Sequence, residues 1–211
     1  MRQLIPFVDD GIDPTRTVLD EAREAPDRPW WLYSNMVASV DGATAVSGRS
    51  GALGGEADRQ VFRALRATAD AILVGASTVR AEQYRLPRTA TGIAAAHRTN
   101  HGLDALPVLC IVSGSLELAP TTPVFEELRA GATAGRVLIA TTTSAPASPP
   151  HIAELAEVLR VGTDRVDLRE LVATLASRGH TRILCEGGPS LLGQLAEEDL
   201  IDEWNLTISP L

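Results

Sequence analysis

Apolar residues along the chain fall into short β-rich runs separated by stretches of helical periodicity, and this alternation is the strongest structural signal in the sequence. Trp30 to Val40 reads as a strand that stops at Asp41-Gly42, a dipeptide suited to a turn. Asp70 to Gly75, Val108 to Val112, Val137 to Ala140, Val158 to Val161 and Arg182 to Cys185 read as further strands. Between them, Glu56 to Ala67 places Val61, Phe62 and Leu65 on one helical face, with Arg59, Arg63 and Arg66 on a neighbouring stripe. Asp167 to Ser177 repeats the pattern with Leu168, Leu171, Val172 and Leu175, and shorter helices are predicted at 76–82, 152–156 and 191–196. Ile201 to Ile208 alternates like a closing strand. Strands separated by helices need crossover connections, so the pattern predicts an α/β fold with a predominantly parallel sheet and helices on both faces.

Two stretches lack periodicity. Residues 47–55 form a glycine-rich loop long enough to carry function, and residues 84–106, with Arg85, Arg88, His97, Arg98 and His101, are expected as a second loop. Residues 1–29 read as an N-terminal arm with one short helix outside the core, leaving 30–211 as a single domain. The apolar run Leu4 to Val8 is too short for a signal segment, and no stretch approaches the length of a membrane span. A cytoplasmic protein is expected.

Composition sharpens the function classes. The 211 residues carry a net charge of −8, which argues against nucleic acid or an anionic membrane as partner. All 19 basic residues are arginine. The absence of lysine removes Schiff-base chemistry and a P-loop lysine, so any phosphate must be met by arginine, backbone amides and helix ends. Cys110 and Cys185 sit alone in apolar runs and read as small buried hydrophobes. The four histidines show no metal spacing, and no metal site is predicted.

The best candidate anion site is Glu186-Gly187-Gly188-Pro189-Ser190-Leu191, where a strand turns into a helix through two glycines. Gly75-Ala76-Ser77-Thr78 repeats the arrangement at another strand end. Two such turns suit a dinucleotide beyond the carboxyl ends of an open sheet, although each can also be a plain strand-to-helix connection. Arg80 and Arg85 are candidates for the 2′-phosphate of NADP.

Taken in order, Met36 to Gly42, Gly48 to Gly51, Leu65 to Val79, Glu186 to Gly188 and Leu200 to Glu203 resemble the reductase domain of bacterial riboflavin biosynthesis, a family related in fold to dihydrofolate reductase. The resemblance runs over residues 30–211. It implies a dihydrofolate-reductase-like mixed sheet, NADPH as cofactor, and reduction of the ribosyl group of 5-amino-6-(5-phosphoribosylamino)uracil to ribityl. It places Ser50, Arg66, Leu86, Arg88 and Glu186 at the phosphorylated pyrimidine, with Arg66 and Arg88 expected to grip its phosphate. Val37, Ala52, Thr78, Glu82, Gly188, Pro189, Ser190, Leu191 and Leu192 fall at NADP positions, and Gly75, Ser77 and Gly187 join them from the anion-site reading. Ser113 is a further NADP position, and Asp41 is expected to orient the reacting ring or relay a proton. The family also implies a homodimer. Ala43 and Ala52 stand where the family often has a basic and an aromatic residue, and the family adds a last strand after the position at which this chain stops. A reductase of another heterocycle, such as dihydrofolate, and a non-catalytic nucleotide-binding protein are the alternatives.

Overall fold

The computed structural model describes residues 2–3, 9–23, 27–131 and 136–210. The Leu4 to Val8 run lies outside them. Strands β1 (Arg2–Gln3) and β2 (Asp9–Asp10) form a small antiparallel ribbon, followed by α1 (Pro14–Asp20), whose N-cap Asp13 accepts the backbone N–H of Thr15. The remaining chain runs β3 (Trp31–Ser39), α2 (Glu56–Thr68), β4 (Ala71–Gly75), α3 (Ala76–Ala81), α4 (Gly92–Asn100) and β5 (Val108–Val112). It continues through α5 (Pro123–Arg129), β6 (Val137–Thr141), α6 (Pro150–Leu155), β7 (Glu157–Arg160), α7 (Leu168–Ser177), β8 (Arg182–Cys185), α8 (Pro189–Glu197) and β9 (Glu203–Ser209). Among the described residues no helix is long and apolar enough to cross a membrane.

Strands β3 to β9 form one sheet in the order β7-β6-β5-β4-β8-β3-β9. Every neighbouring pair is parallel, so the expected α/β architecture is present and no antiparallel strand belongs to this sheet among the described residues. The chain leaves β3, passes over the slot that β8 later fills, and enters β4. That order makes the carboxyl ends of β3, β4 and β8 neighbours, the place where an open α/β sheet offers a crevice.

The two-residue period of the strands divides the core. On one face Tyr33, Ile72, Val74, Leu109, Ile111 and Leu184 pack with Leu65, Val79, Phe125 and Ile152 from α2, α3, α5 and α6. On the other, Leu32, Leu73, Cys110, Leu138 and Ile183 pack with Leu171, Leu175, Leu191 and Leu195 from α7 and α8. The Leu200 to Glu203 stretch anchors strand β3, since Asp202 accepts the Leu32 N–H at 2.7 Å and pairs with Arg28, and Glu203 accepts from Trp31 Nε1.

Two sequence expectations need correction. Residues 84–106 are not one loop, because α4 forms within them: Ile93 to Ala96 favour a helix, and Arg98 near its end is buried. The Arg98 guanidinium donates to the carbonyls of Ala67, Ala69 and Asp104, satisfying acceptors at the end of α2 that the helix itself leaves open. A scattered arginine thus supplies the order that apolar periodicity does not show. The N-terminal arm also reaches the core, since Val18 of α1 is buried in the first cluster and Arg23 is buried against Glu203.

Candidate active site

Strands β4 and β8 pair in register, Ile72 beside Leu184 and Leu73 beside Cys185, so their terminal glycines meet. The Gly75 N–H donates to the Gly187 carbonyl at 2.7 Å. Gly187 adopts φ +80°, a backbone conformation suited to glycine, and its peptide bond to Gly188 is cis. A methyl group at Gly187 would lie 2.8 Å from Met36 Sδ, and one at Gly188 would lie 2.6 Å from Thr78 Oγ1. Strand β3, through Met36, and α3, through Thr78, therefore approach the Gly187-Gly188 turn at distances that only glycine permits. Gly188 caps α8 without a side-chain hydrogen bond, which leaves the first amides of that nine-residue helix to a ligand or solvent.

Beside this cradle, at the end of β8, Glu186 is nearly enclosed, its side chain only 4% exposed. Its Oε1 accepts Arg66 Nε at 2.7 Å, its Oε2 accepts Arg66 Nη2 at 2.7 Å, and the Tyr84 hydroxyl also donates to Oε2. Arg66 Nη2 reaches the Tyr84 oxygen at 2.7 Å as well. Burial works to lower the Arg66 guanidinium, but the adjoining Glu186 carboxylate outweighs it and raises its pKa further. Burial and the same negative charge push the Tyr84 phenol well above its ordinary value, so it stays a neutral hydroxyl donor. Phe62 packs its ring 4.3 Å from the Arg66 guanidinium carbon.

Two cavities adjoin this cluster. One, of about 320 Å³, is bordered by Met36, Val37, Ser50, Thr78, Glu186 and Gly188. The other, of about 970 Å³, lies between α2, α4 and the 82–91 segment and is lined by Arg59, Arg63, Arg66, Arg85, Arg88 and Arg98. In a protein of net charge −8 this second chamber concentrates positive charge locally. Arg59, Phe62, Glu82 and Tyr84 border both.

The structure brings together most of the residues singled out in the sequence. Ser50, Glu186, Val37, Thr78, Glu82, Gly188 and Pro189 border the smaller cavity, and Glu82 accepts the Ser50 N–H at 2.7 Å. Leu86 and Arg88 line the larger one, Leu86 buried and Arg88 exposed. Gly75 and Gly187 form the joint behind the cradle. Ser77 and Ser190 are exposed in the opening turns of α3 and α8, Leu191 is buried against Gly75, and Leu192 is partly buried on α8. Ser113 is buried at the end of β5 with its hydroxyl unpartnered among the described residues.

Four expected site residues are placed differently from the roles foreseen for them. Asp41 is fully exposed in the turn after β3, where it accepts from the Ser39 hydroxyl and the Ala43 N–H. These bonds hold its carboxyl below its usual range and close a turn, and Asp41 does not border the cavity. Ala52 is exposed and outside the lining of the smaller cavity, as is Ala43. Arg66 does not offer its forked face to a phosphate, because Glu186 occupies it. Arg85 is paired with Glu127 at 2.7 Å and so is not a spare cation for a 2′-phosphate, whereas Arg80 donates to the Glu117 carbonyl at 2.9 Å and has no carboxylate partner among the described residues.

Sequence reasoning misses the site roles of Met36, Phe62 and Tyr84. Phe62 reads as core from its helical spacing. Tyr84 is one of only two tyrosines, an aromatic residue in an arginine-rich segment, and that contrast is its available signal.

The sequence profile of the RibD C-terminal domain matches residues 30–211. Over 187 residues the chain is 34% identical to the 2,5-diamino-6-ribosylamino-4(3H)-pyrimidinone 5′-phosphate reductase of Methanothermobacter thermautotrophicus, covering 87% of this chain and 79% of that protein. It is 28% identical to the protein of the same name from Archaeoglobus fulgidus, over 87% of this chain and 81% of the relative. Among solved structures, a pyrimidine reductase-like protein from Corynebacterium diphtheriae superposes with a TM-score of 0.76 at 26% identity, covering 95% of this chain and 82% of that one.

Proposed function

Because the chain belongs to the RibD C-terminal domain family, we propose that it is an NADPH-dependent pyrimidine reductase of riboflavin biosynthesis, reducing 5-amino-6-(5-phosphoribosylamino)uracil to its ribityl product. The observation that carries this reading is the junction of two glycine-ended strands beside a buried, triply hydrogen-bonded glutamate.

The residues present fit a dinucleotide. The missing side chains at Gly187 and Gly188 let Met36 and Thr78 close in as walls of the smaller cavity, and the open amides of α8 suit a pyrophosphate. Ser190 and Thr78 would supply hydroxyl donors there, and Met36 and Val37 an apolar wall. When bound, the nicotinamide supplies the hydride that reaches C1′ of the ring-opened sugar. Glu186 would accept an N–H group of the pyrimidine, with Arg66 holding its carboxylate in place. Arg88, which has no carboxylate partner among the described residues, would meet the substrate phosphate from the larger chamber. Leu86 and Phe62 border that route with apolar surface and limit water.

The relative from M. thermautotrophicus carries in its name a ring with an amino group where the uracil has an oxo group, so both rings belong in the assay. The test is loss of NADPH absorbance with each phosphoribosylaminopyrimidine, NADH and dihydrofolate serving as controls. Oxidation with neither pyrimidine, or only with dihydrofolate, would overturn the assignment. A homodimer is the second part of the proposal. It is supported by the edge strand β9, which turns Trp204, Leu206 and Ile208 outward, each more than half exposed. The location we propose is the cytoplasm.

A further inference from the structure

The Tyr84 hydroxyl, the Glu186 carboxylate and the Arg66 guanidinium close a three-membered hydrogen-bonded ring at the border between the two cavities. We propose that Tyr84 is a positioning residue for the reduction, which fixes the rotation of the Glu186 carboxylate toward the pyrimidine and separates the cofactor side of the cleft from the phosphate side.

Three independent observations carry the inference. The first is the division of labour on the carboxylate. Arg66 takes one lone pair on each oxygen, and Tyr84 takes the second on Oε2, so the acceptor site still open is on Oε1. Without Tyr84 both oxygens would offer an equivalent acceptor and the carboxylate would no longer distinguish one direction. The second is placement. Tyr84 borders both cavities, and its ring is packed against the core while its oxygen reaches the cleft. The third is backbone delivery. Helix α3 ends with Glu82 as C-cap, and Gln83 follows at φ +53°, a left-handed conformation that glycine usually fills at this position. The Tyr84 N–H donates to the Val79 carbonyl at 3.0 Å, and the Gln83 side chain donates to the Arg80 carbonyl at 2.9 Å. This double-bonded helix end aims Tyr84 into the cleft and holds it there despite an unfavourable backbone angle.

The inference rests on the proposed reading of Glu186 as a substrate contact. The experiment is a double-mutant cycle of Tyr84→Phe and Glu186→Gln in the full chain, with steady-state kinetics, NADPH titration and thermal unfolding for each variant. Tyr84→Phe keeps the ring and removes the hydroxyl. It is expected to raise KM for the phosphoribosylaminopyrimidine about tenfold or more, as for loss of a hydrogen bond to a charged group, with a smaller change in kcat and unchanged NADPH affinity. In the Glu186→Gln background the same change should alter KM by less than about twofold, because the group through which Tyr84 acts is gone. Glu186→Asp offers a second background in which the carboxylate is withdrawn by one methylene, so the cycle does not depend on the glutamine variant folding. Equal losses from Tyr84→Phe in all backgrounds would show that Tyr84 acts elsewhere and would sink this inference alone. If Glu186→Gln leaves substrate KM intact, the reading of the cleft falls, and the role of Tyr84 falls with it.

Discussion

The Gly75 N–H reaches the Gly187 carbonyl at 2.7 Å, a bond from the last residue of β4 to the turn beyond β8. The two glycines are under different constraints. A methyl at Gly75 would find its nearest neighbours at 3.7 Å, ordinary contact, whereas one at Gly187 would crowd Met36 and force a left-handed alanine, at about 1–2 kcal/mol for the backbone alone. Gly75→Ala is therefore expected to stay within about 0.5 kcal/mol of the parent. Gly187→Ala should lower Tm by several degrees and weaken NADPH binding, because displaced Met36 narrows the cavity it borders. Thermal unfolding and NADPH titration check the pair. Equal damage from both would mean that the cradle is not shaped by these contacts.

The strands of the seven-stranded sheet and the α2 and α7 helices are legible in the sequence because burial on a sheet face or a helical stripe writes a period into the chain. The meeting of Gly75 with Gly187 agrees with the paired reading of two glycine-bearing strand ends, although either turn alone also reads as a plain strand-to-helix connection. What escapes is written in polar atoms. Helix α4 depends on Arg98 bonding carbonyls of another helix, and the partner of Arg66 lies 120 residues away at Glu186. Spacing along a chain cannot show which of 19 arginines is already paired. Asp41 is placed for the opposite reason: its local bonds to Ser39 and Ala43 close the turn that Asp41-Gly42 predicts.

Arg66 and Arg88 should separate by readout. Arg66 is only 24% exposed and, among the described residues, is the one cation paired with the buried Glu186 carboxylate, so Arg66→Ala leaves Glu186 uncompensated and is expected to cost about 3–5 kcal/mol of stability. Arg88 is exposed, and Arg88→Ala should leave Tm unchanged while raising substrate KM about tenfold or more through loss of a phosphate contact. Inorganic phosphate should compete with substrate for the wild type and not for Arg88→Ala. An Arg88→Ala enzyme with unaltered KM would move the phosphate to Arg59 or Arg63, which share Glu56 at the chamber's outer wall.

Arg98 is expected to be a stability residue with no part in binding. Its Nη1 donates to the Ala67 and Ala69 carbonyls at 3.1 and 2.8 Å, and its Nε to Asp104 at 2.7 Å. Arg98→Met keeps much of the side-chain volume but strands these acceptors, each worth about 1–3 kcal/mol when buried and unpaired. Urea unfolding should show a loss of about 2–4 kcal/mol, and Arg98→Lys should restore little, because one ammonium cannot span the same acceptors. Full rescue by lysine would place the effect in charge alone.

Glu127 links stability to pH. Partial burial pushes its carboxyl up, but the Leu86 N–H at 2.9 Å and the Arg85 guanidinium at 2.7 Å favour the charged form more, and the net shift is downward. A carboxyl depressed in the folded state stabilises fully above its unfolded value, near about 4.3, and loses that contribution as pH falls through the folded value. The wild-type Tm should exceed that of Glu127→Gln at about pH 6, and the gap should begin to narrow near the unfolded value and close as pH falls through the lower folded value. Because Glu127 holds the backbone of Leu86, the same variant should raise substrate KM at neutral pH. A gap in Tm that persists unchanged in acid would count against this account.

The outward face of β9 bears on assembly. Residues alternate along the strand, so Asn205 and Thr207 turn toward the protein, Thr207 donating to Asp58, while Trp204, Leu206 and Ile208 line up on the opposite side. Exposed Val40, next to the end of the paired strand β3, adds to the patch. An edge strand bearing large apolar side chains on its open face favours association, and a stable pairing needs roughly 800 Å² from each partner. Trp204→Arg with Leu206→Glu should abolish a dimer formed through this face while leaving Tm measured at low concentration unchanged. Sedimentation should report twice 22.4 kDa for the parent and a single chain for the variant. A variant that sediments as the parent does would place the interface on another surface, and a parent that sediments as one chain would end the proposal of a homodimer.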